Sequence, residues 1–283
     1  GLRLGMIDAK ADQILGINST NAVVGRGVTQ AVPADTVIAG AGTTSVLDGY
    51  FKGIITEVGE GEIEVKILTH VSAGGTFTDI EYQPGGVYKF STTGNLGFHT
   101  TGGSAGVATT VISTKDWFDQ QELTLTSSTT IKWNQIADRP GTSEYASARG
   151  SKNDEVHVVV VDGDGAVTGN SGTVLEKHLS LSKAKDAEFS LGSPQYWRKF
   201  LLNGSEYIFG GSQPADAVAT GFTTSTTYTP ASDNSWDQNA EGITFAAKGN
   251  VNEQFSAGTD YNGKTGIGQT GSLQSGLDGL VTG

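Results

Sequence analysis

The sequence predicts a mainly β protein with some α+β: a small β-barrel or sandwich, joined to an α+β region with a mixed or antiparallel sheet. Three observations lead there. Glycine accounts for 41 of 283 residues and stands among Ser, Thr and Asn, so many turns separate short apolar runs. Residues 51–58 and 62–69 flank the turn Gly59-Glu60-Gly61, and the second run alternates apolar and charged side chains, the pattern of a hairpin with one wet face. Residues 155–162 are β-branched on both faces, with Val156, Val158 and Val160 on one and His157, Val159 and Val161 on the other, which marks a strand buried on both sides.

Along the chain, residues up to about 45 have weak periodicity and predict one or two short strands among long loops. The hairpin follows, with Ile63, Val65 and Ile67 inward against Glu62, Glu64 and Lys66. Residues 77–82 and 87–91 predict a second hairpin about Gln83-Pro84-Gly85-Gly86, a type II turn. Residues 92–106 are Gly/Thr-rich and read as a loop or linker. Strands are expected at 109–113 and 122–126. After the valine strand, Gly163-Asp164-Gly165 supplies a tight hairpin turn. Residues 173–181 return with Leu175, Leu179 and Leu181 inward and Glu176, His178 and Ser180 toward water. Ser193-Pro194 predicts a helix start, Trp197, Phe200 and Leu201 its apolar face, and Asn203-Gly204 its stop. Further strands are expected at 205–209 and 241–247, with an extended loop or insertion at 211–234, and 253–283 is dominated by Gly and small polar residues.

Composition excludes several function classes. There is no cysteine, hence no disulfide, zinc ribbon or thiol nucleophile. The formal charge of −12 opposes phosphate-backbone binding and attraction to anionic membranes, so neither nucleic acid nor membrane is expected as a partner. No apolar run reaches the roughly 20 residues of a membrane span. Asp8 and Asp12 stand where a signal peptide would have its apolar core. The Gly start and the GLDGLVTG close read as cut ends.

Candidate chemistry resolves into structure. His70, His99, His157 and His178 lack HxH or HExxH spacing, and His157 reads as a packed imidazole. Asp162-Gly163-Asp164-Gly165 has too few alternating oxygens for a calcium loop and is assigned to a turn. No nucleophile elbow or phosphate loop is present in sequence. Glu62, Glu64 and Asp154-Glu155 read as solvated strand faces and turns. Tyr82, Tyr88 and Phe90 flank one hairpin and suit either sugar stacking or core packing, the latter for at least two of them. No catalytic, cofactor-binding or metal-ligating residue is expected, and no enzyme activity.

One run carries a resemblance. PGTSEYASARG (140–150), NDEVHVVVVD (153–162), the Asp-Gly turn, GTVLEKHLSLSKAKDA (172–187), the aromatic helix and SEYIFGG (205–211) occur in that order. Together, from Trp117 to Gly211, they resemble the outer portion of a contractile-tail sheath protein of T-even-type, cyanophage-like myoviruses, and YQPGGVYKF (82–90) extends the match. The resemblance implies a virion structural protein. Hexameric sheath rings stack around the tail tube and contract to drive it through the host envelope during genome ejection. It further implies that residues 1–19 begin the middle domain or a linker, that 20–105 form a protruding β-barrel-like domain, and that 106–283 form the α+β middle domain. Partners would be other sheath subunits, and the tail tube through segments not recognised in this chain, leaving this piece monomeric. The alternative class is a carbohydrate-binding β module, virion-displayed or secreted. A β-helical glycan-degrading spike lacks the short repeat it requires.

Overall fold

The computed structural model describes residues 1–19, 21–40, 43–99, 105–210, 218–221, 229–232 and 235–255. The chain opens on β1 (Leu2–Asp8), followed by β2 (Asp12–Ile17), β3 (Gly27–Ala31) and a two-stranded arm of β4 (Val37–Gly40) and β5 (Thr43–Val46). Next come β6 (Tyr50–Val58), β7 (Glu62–Val71), β8 (Phe77–Asp79), β9 (Asn95–His99) and β10 (Ala105–Asp116). A one-turn helix α1 (Trp117–Gln120) leads to a small hairpin of β11 (Glu122–Thr124) and β12 (Thr130–Lys132), then to α2 (Glu144–Ser147). β13 (Glu155–Asp162) pairs with β14 (Thr173–Ser182). The remainder is a hairpin of β15 (Glu188–Ser190) and β16 (Ser193–Pro194), the helix α3 (Trp197–Gly204), a paired β17 (Val218–Gly221) and β18 (Thr229–Ser232), and β19 (Asn250–Gln254).

The molecule is mainly β and contains a closed six-stranded antiparallel barrel, as its patterning predicts. Barrel order is β2-β10-β9-β3-β6-β7, closed where β2 pairs with β7 from Asp12↔Lys66 to Gly16↔Glu62. Closure leaves no open edge, which an isolated hairpin could not achieve. Ile63, Val65 and Ile67 point inward as expected and pack with Leu15, Val28, Phe51, Ile55, Leu96 and Phe98.

Tyr82 and Phe90 complete that core from the segment after β8, at 6% and 1% exposure. The type II turn is present: Gly86 N donates to Gln83 O at 2.9 Å and Gly85 has φ +77°. Residues 87–91, however, form no strand. Two glutamine amides stand in for the ladder: Gln13 binds Phe90 N (2.7 Å) and O (3.1 Å), and Gln30 binds Ser91 N and O, both at 2.8 Å. With its backbone groups satisfied by side chains, the segment caps the barrel without joining the sheet.

The second body is an antiparallel four-stranded sheet, β14-β13-β1-β19. Its β13 is buried on both faces, as the valine pattern requires. Val159 and Val161 join Ile7, Trp117, Leu123 and Trp133 on one side; Val156, Val158 and Val160 join Leu181, Trp197, Leu201 and Trp236 on the other.

Several local expectations are corrected. The first 46 residues hold five strands rather than one or two, because small residues there pair with distant strands instead of alternating strongly. Within 92–106, β9 and the start of β10 are barrel strands, not linker. The β13–β14 connection is a ten-residue loop, 163–172, not a tight turn. His178 is 8% exposed rather than turned to water, because a register shift opposite Val156/Val158, with Ser180 at φ +52°, changes the strand's phase. Helix α3 begins at Trp197, after Tyr196. Ser193 and Pro194 are instead extended, and the neighbouring Gln195 is held by Ala187 O and Ser182 N, both at 2.9 Å. Residues 205–209 form no strand; Ser205 Oγ accepts from Ile208 N at 3.0 Å and folds them into a turn. Residues 241–247 make only isolated bridging contacts, and the strand falls later, at β19. The expected loop at 211–234 lies outside the described residues apart from β17 and β18, as does 256–283 of the last segment.

Candidate functional site

The histidines occupy structural positions. His157 is 2% exposed; its Nε2–H faces Asp138 O at 2.8 Å and its Nδ1 accepts from Ser180 N at 2.9 Å. Those two partners fix the neutral tautomer and hold the bulge in β14. His70 Nε2 meets Asp48 O at 2.5 Å, and His99 Nε2 meets Thr29 Oγ1 at 2.7 Å. His178 lies 2.8 Å from Glu176 and edge-on to Phe200. Burial opposes ionisation of Glu176, but hydrogen bonds from Ser205 Oγ, Glu206 N and His178 outweigh it and hold its pKa below the ordinary value.

Of the carboxylates read as solvated, Glu62 is half-exposed and pairs with Lys115 at 3.3 Å. Glu64 is not: it pairs with Lys10 between barrel and sheet, beside Asp12. Asp154 is fully buried and is a hub. Its oxygens accept from Ser143 N (2.8 Å), Ser143 Oγ (2.8 Å) and Ser182 Oγ, tying the strands to the N-cap of α2. Glu155 is half-buried and accepts from Gly141 N at 2.8 Å.

Patterning missed a buried ion pair. Lys183 and Asp8, both 0% exposed, lie 2.8 Å apart. Lys183 also donates to Asn153 O (3.0 Å) and Ala246 O (3.1 Å), while Asp8 accepts from Lys248 N (2.8 Å) and Gly249 N (2.7 Å). Burial pushes the ammonium's pKa down, and Asp8 opposes the shift. With its donors engaged and no surface, this lysine is a fastener rather than a nucleophile.

Asp162 closes its own loop. Its Oδ2 accepts from Thr168 N (2.7 Å), Thr168 Oγ1 (2.9 Å) and Val167 N (3.0 Å). Burial alone would raise its pKa; these bonds override it, and the pKa is lowered. Asp164 is engaged by Ala166 N and the amino terminus. Among the described residues, no cluster of three or more His, Asp or Glu could hold a metal.

An open groove of about 600 Å³ lies between the α2 region and the β15–β16 hairpin. Glu144, Glu155 and Glu188 line it beside Tyr145, Phe189 and Leu191. Leu191, at the hairpin tip, is 100% exposed and Phe189 50% exposed. Nothing in the sequence marks either residue, since the hairpin is too short to leave an alternation. Tyr88, the third of the candidate sugar-stacking aromatics, packs edge-on against Phe51 in the barrel. No helix among the described residues is long and apolar enough to cross a membrane. Comparison with known proteins finds no matching family model, no similar curated protein and no similar solved structure.

Proposed function

We propose that this chain is the outer portion of a contractile tail-sheath subunit, a structural and non-enzymatic part of a phage virion that works in hexameric rings around a tail tube. The observation that carries the reading is where the resembling segments lie. Those between 140 and 210 fasten the central sheet, while 82–90 caps the barrel. From 140–150, Ser143 binds the Asp154 hub. From 172–187, Lys183 pairs with Asp8, and Ala184 and Ala187 pack with Ala146. From 205–211, Ser205 Oγ and Glu206 N hold Glu176, at 2.5 and 2.8 Å, and Ile208 enters the sheet's core.

A subunit that transmits force during contraction needs such cross-fastening, because load on one strand then spreads through the whole sheet. The barrel is attached at adjacent points: Gln13 of β2 lies opposite Asp116 of β10, so its entry and exit are neighbours in the ladder. That is the geometry of an outlying domain carried by a core. The carbohydrate-binding alternative loses its proposed platform, since Tyr82 and Phe90 are buried.

The test is polymerisation. Expressed with the flanking segments of its own reading frame, the protein is expected to form rings or tubes of uniform diameter under the electron microscope. Dispersed monomers from that longer chain would reject the proposal.

A further inference from the structure

The groove beside the β15–β16 hairpin borders the fasteners described above through Ser143, Glu155, Ser180 and Gln195, but its Glu144, Glu188, Phe189 and Leu191 take no part in them. Three carboxylates, Glu144, Glu155 and Glu188, share it with Tyr145, Phe189 and Leu191, and none of its described lining residues is basic. Arg149 stacks its guanidinium on the Tyr145 ring, 3.5 Å from the centroid, without entering the lining. A leucine left wholly in water at a hairpin tip loses the burial that fixes most leucines, and an exposed apolar group rimmed by charge is the make-up of an interaction surface. The space is an open groove rather than an enclosed cavity, which suits a length of chain better than a small ligand. Among the described residues, strand β15 pairs only with β16 in a two-stranded sheet, so its other edge can take an added strand.

We propose that this groove docks an extended, basic segment of a partner protein, one that presents a lysine or arginine beside aliphatic residues. The cation would face the glutamates, and the aliphatic neighbour would cover Leu191 and Phe189. Charge complementarity selects this occupant. The whole chain carries −12, so a second copy meets general repulsion while a basic segment is drawn in. The inference does not depend on the sheath reading, and its failure would leave that reading untouched.

The experiment uses the full 283-residue chain and fluorescent short peptides in a positional library, with Lys or Arg followed by Leu, Val or Ile. Counterparts replace the basic residue by Glu or the aliphatic one by Ser, and neutral oligosaccharides form a separate arm. Two variants, Glu144→Gln/Glu188→Gln and Leu191→Ser, alter exposed or half-exposed side chains, and melting curves confirm that each is folded. The basic-aliphatic peptides are expected to bind saturably, with affinity reduced about tenfold or more in each variant, equal to about 1.4 kcal/mol. Rising salt should weaken binding to the parent chain more than to the double glutamine variant. Four outcomes would overturn the proposal: no saturable binding, equal binding by the variants, equal binding of the Glu peptides, or oligosaccharide binding that Leu191→Ser abolishes.

Discussion

Lys183 and Asp8 form an ion pair with no solvent contact, 2.8 Å apart, between the turn after β14 and the end of β1. The pair joins a strand near the start of the chain to a turn far along it. Lys183 therefore reports on closure of the whole sheet.

Replacing Lys183 by Ala should cost about 3–5 kcal/mol, since it strands a buried carboxylate. Urea denaturation followed by tryptophan fluorescence measures this. The double change Asp8→Asn/Lys183→Met should cost clearly less than Lys183→Ala plus Asp8→Asn taken separately. Simple additivity would show that the two groups do not act as a pair.

Acid should loosen the loop after β13. Asp162 and Glu176 both have folded-state pKa values below their ordinary 3.8 and 4.5. The unfolded chain then binds more protons than the folded one as pH falls through and below those values. Their stabilisation is present above about pH 5 and is lost on acidification. The melting temperature of the parent should fall between pH 6 and 3, and less steeply in Asp162→Asn. Calcium or EDTA should leave it unchanged, because the loop's own donors occupy Asp162 Oδ2. A rise of several degrees with calcium would show that the loop takes up metal.

Two glycines should fail for different reasons. A Cβ on Gly53 would stand 2.6 Å from Lys66 O and 2.8 Å from Phe90 Cζ, so Gly53→Ala should cost about 1–3 kcal/mol through crowding. Gly85 has open space around it but a φ of +77°, so Gly85→Ala should cost roughly 1–2 kcal/mol through conformation alone. Gly85→Asn should recover much of that second loss and Gly53→Asn none of the first. Thermal melts of the four variants decide.

Where a strand's character lies in its own residues, the sequence was readable. β7 alternates because one face is wet, and β13 is apolar throughout because both faces are covered. β9, with Gly97 at its centre, has no such signature; β3 and β10 on either side make it a strand. Likewise Gln13 and Gln30 look like ordinary polar residues until the 90–91 backbone arrives to be bound. Asp154 read as a turn residue because nothing nearby in sequence shows that Ser143 and Ser182 will enclose it. The groove was illegible for the same reason, since its three glutamates come from three separate elements.

In dilute solution this chain alone should be monomeric. The net charge of −12 opposes association at low salt. Light scattering at micromolar concentration checks this. A stable hexamer would place the assembly interface inside these residues.

The placement of β1 between β13 and β19 has a consequence for synthesis. Translation at about 5–20 residues per second separates β1 from the earlier of its two partners, β13, by roughly 7–30 s. The barrel strands, all within 12–116, emerge and can close during that interval. Leu2, Leu4, Met6 and Ile7 meanwhile have no sheet to enter, because both their neighbours are still to be made. At β1 the order of synthesis and the order of assembly run opposite ways. The nascent chain therefore passes through a stage with a finished barrel and a bare apolar strand, and it is at this stage that a chaperone would find it.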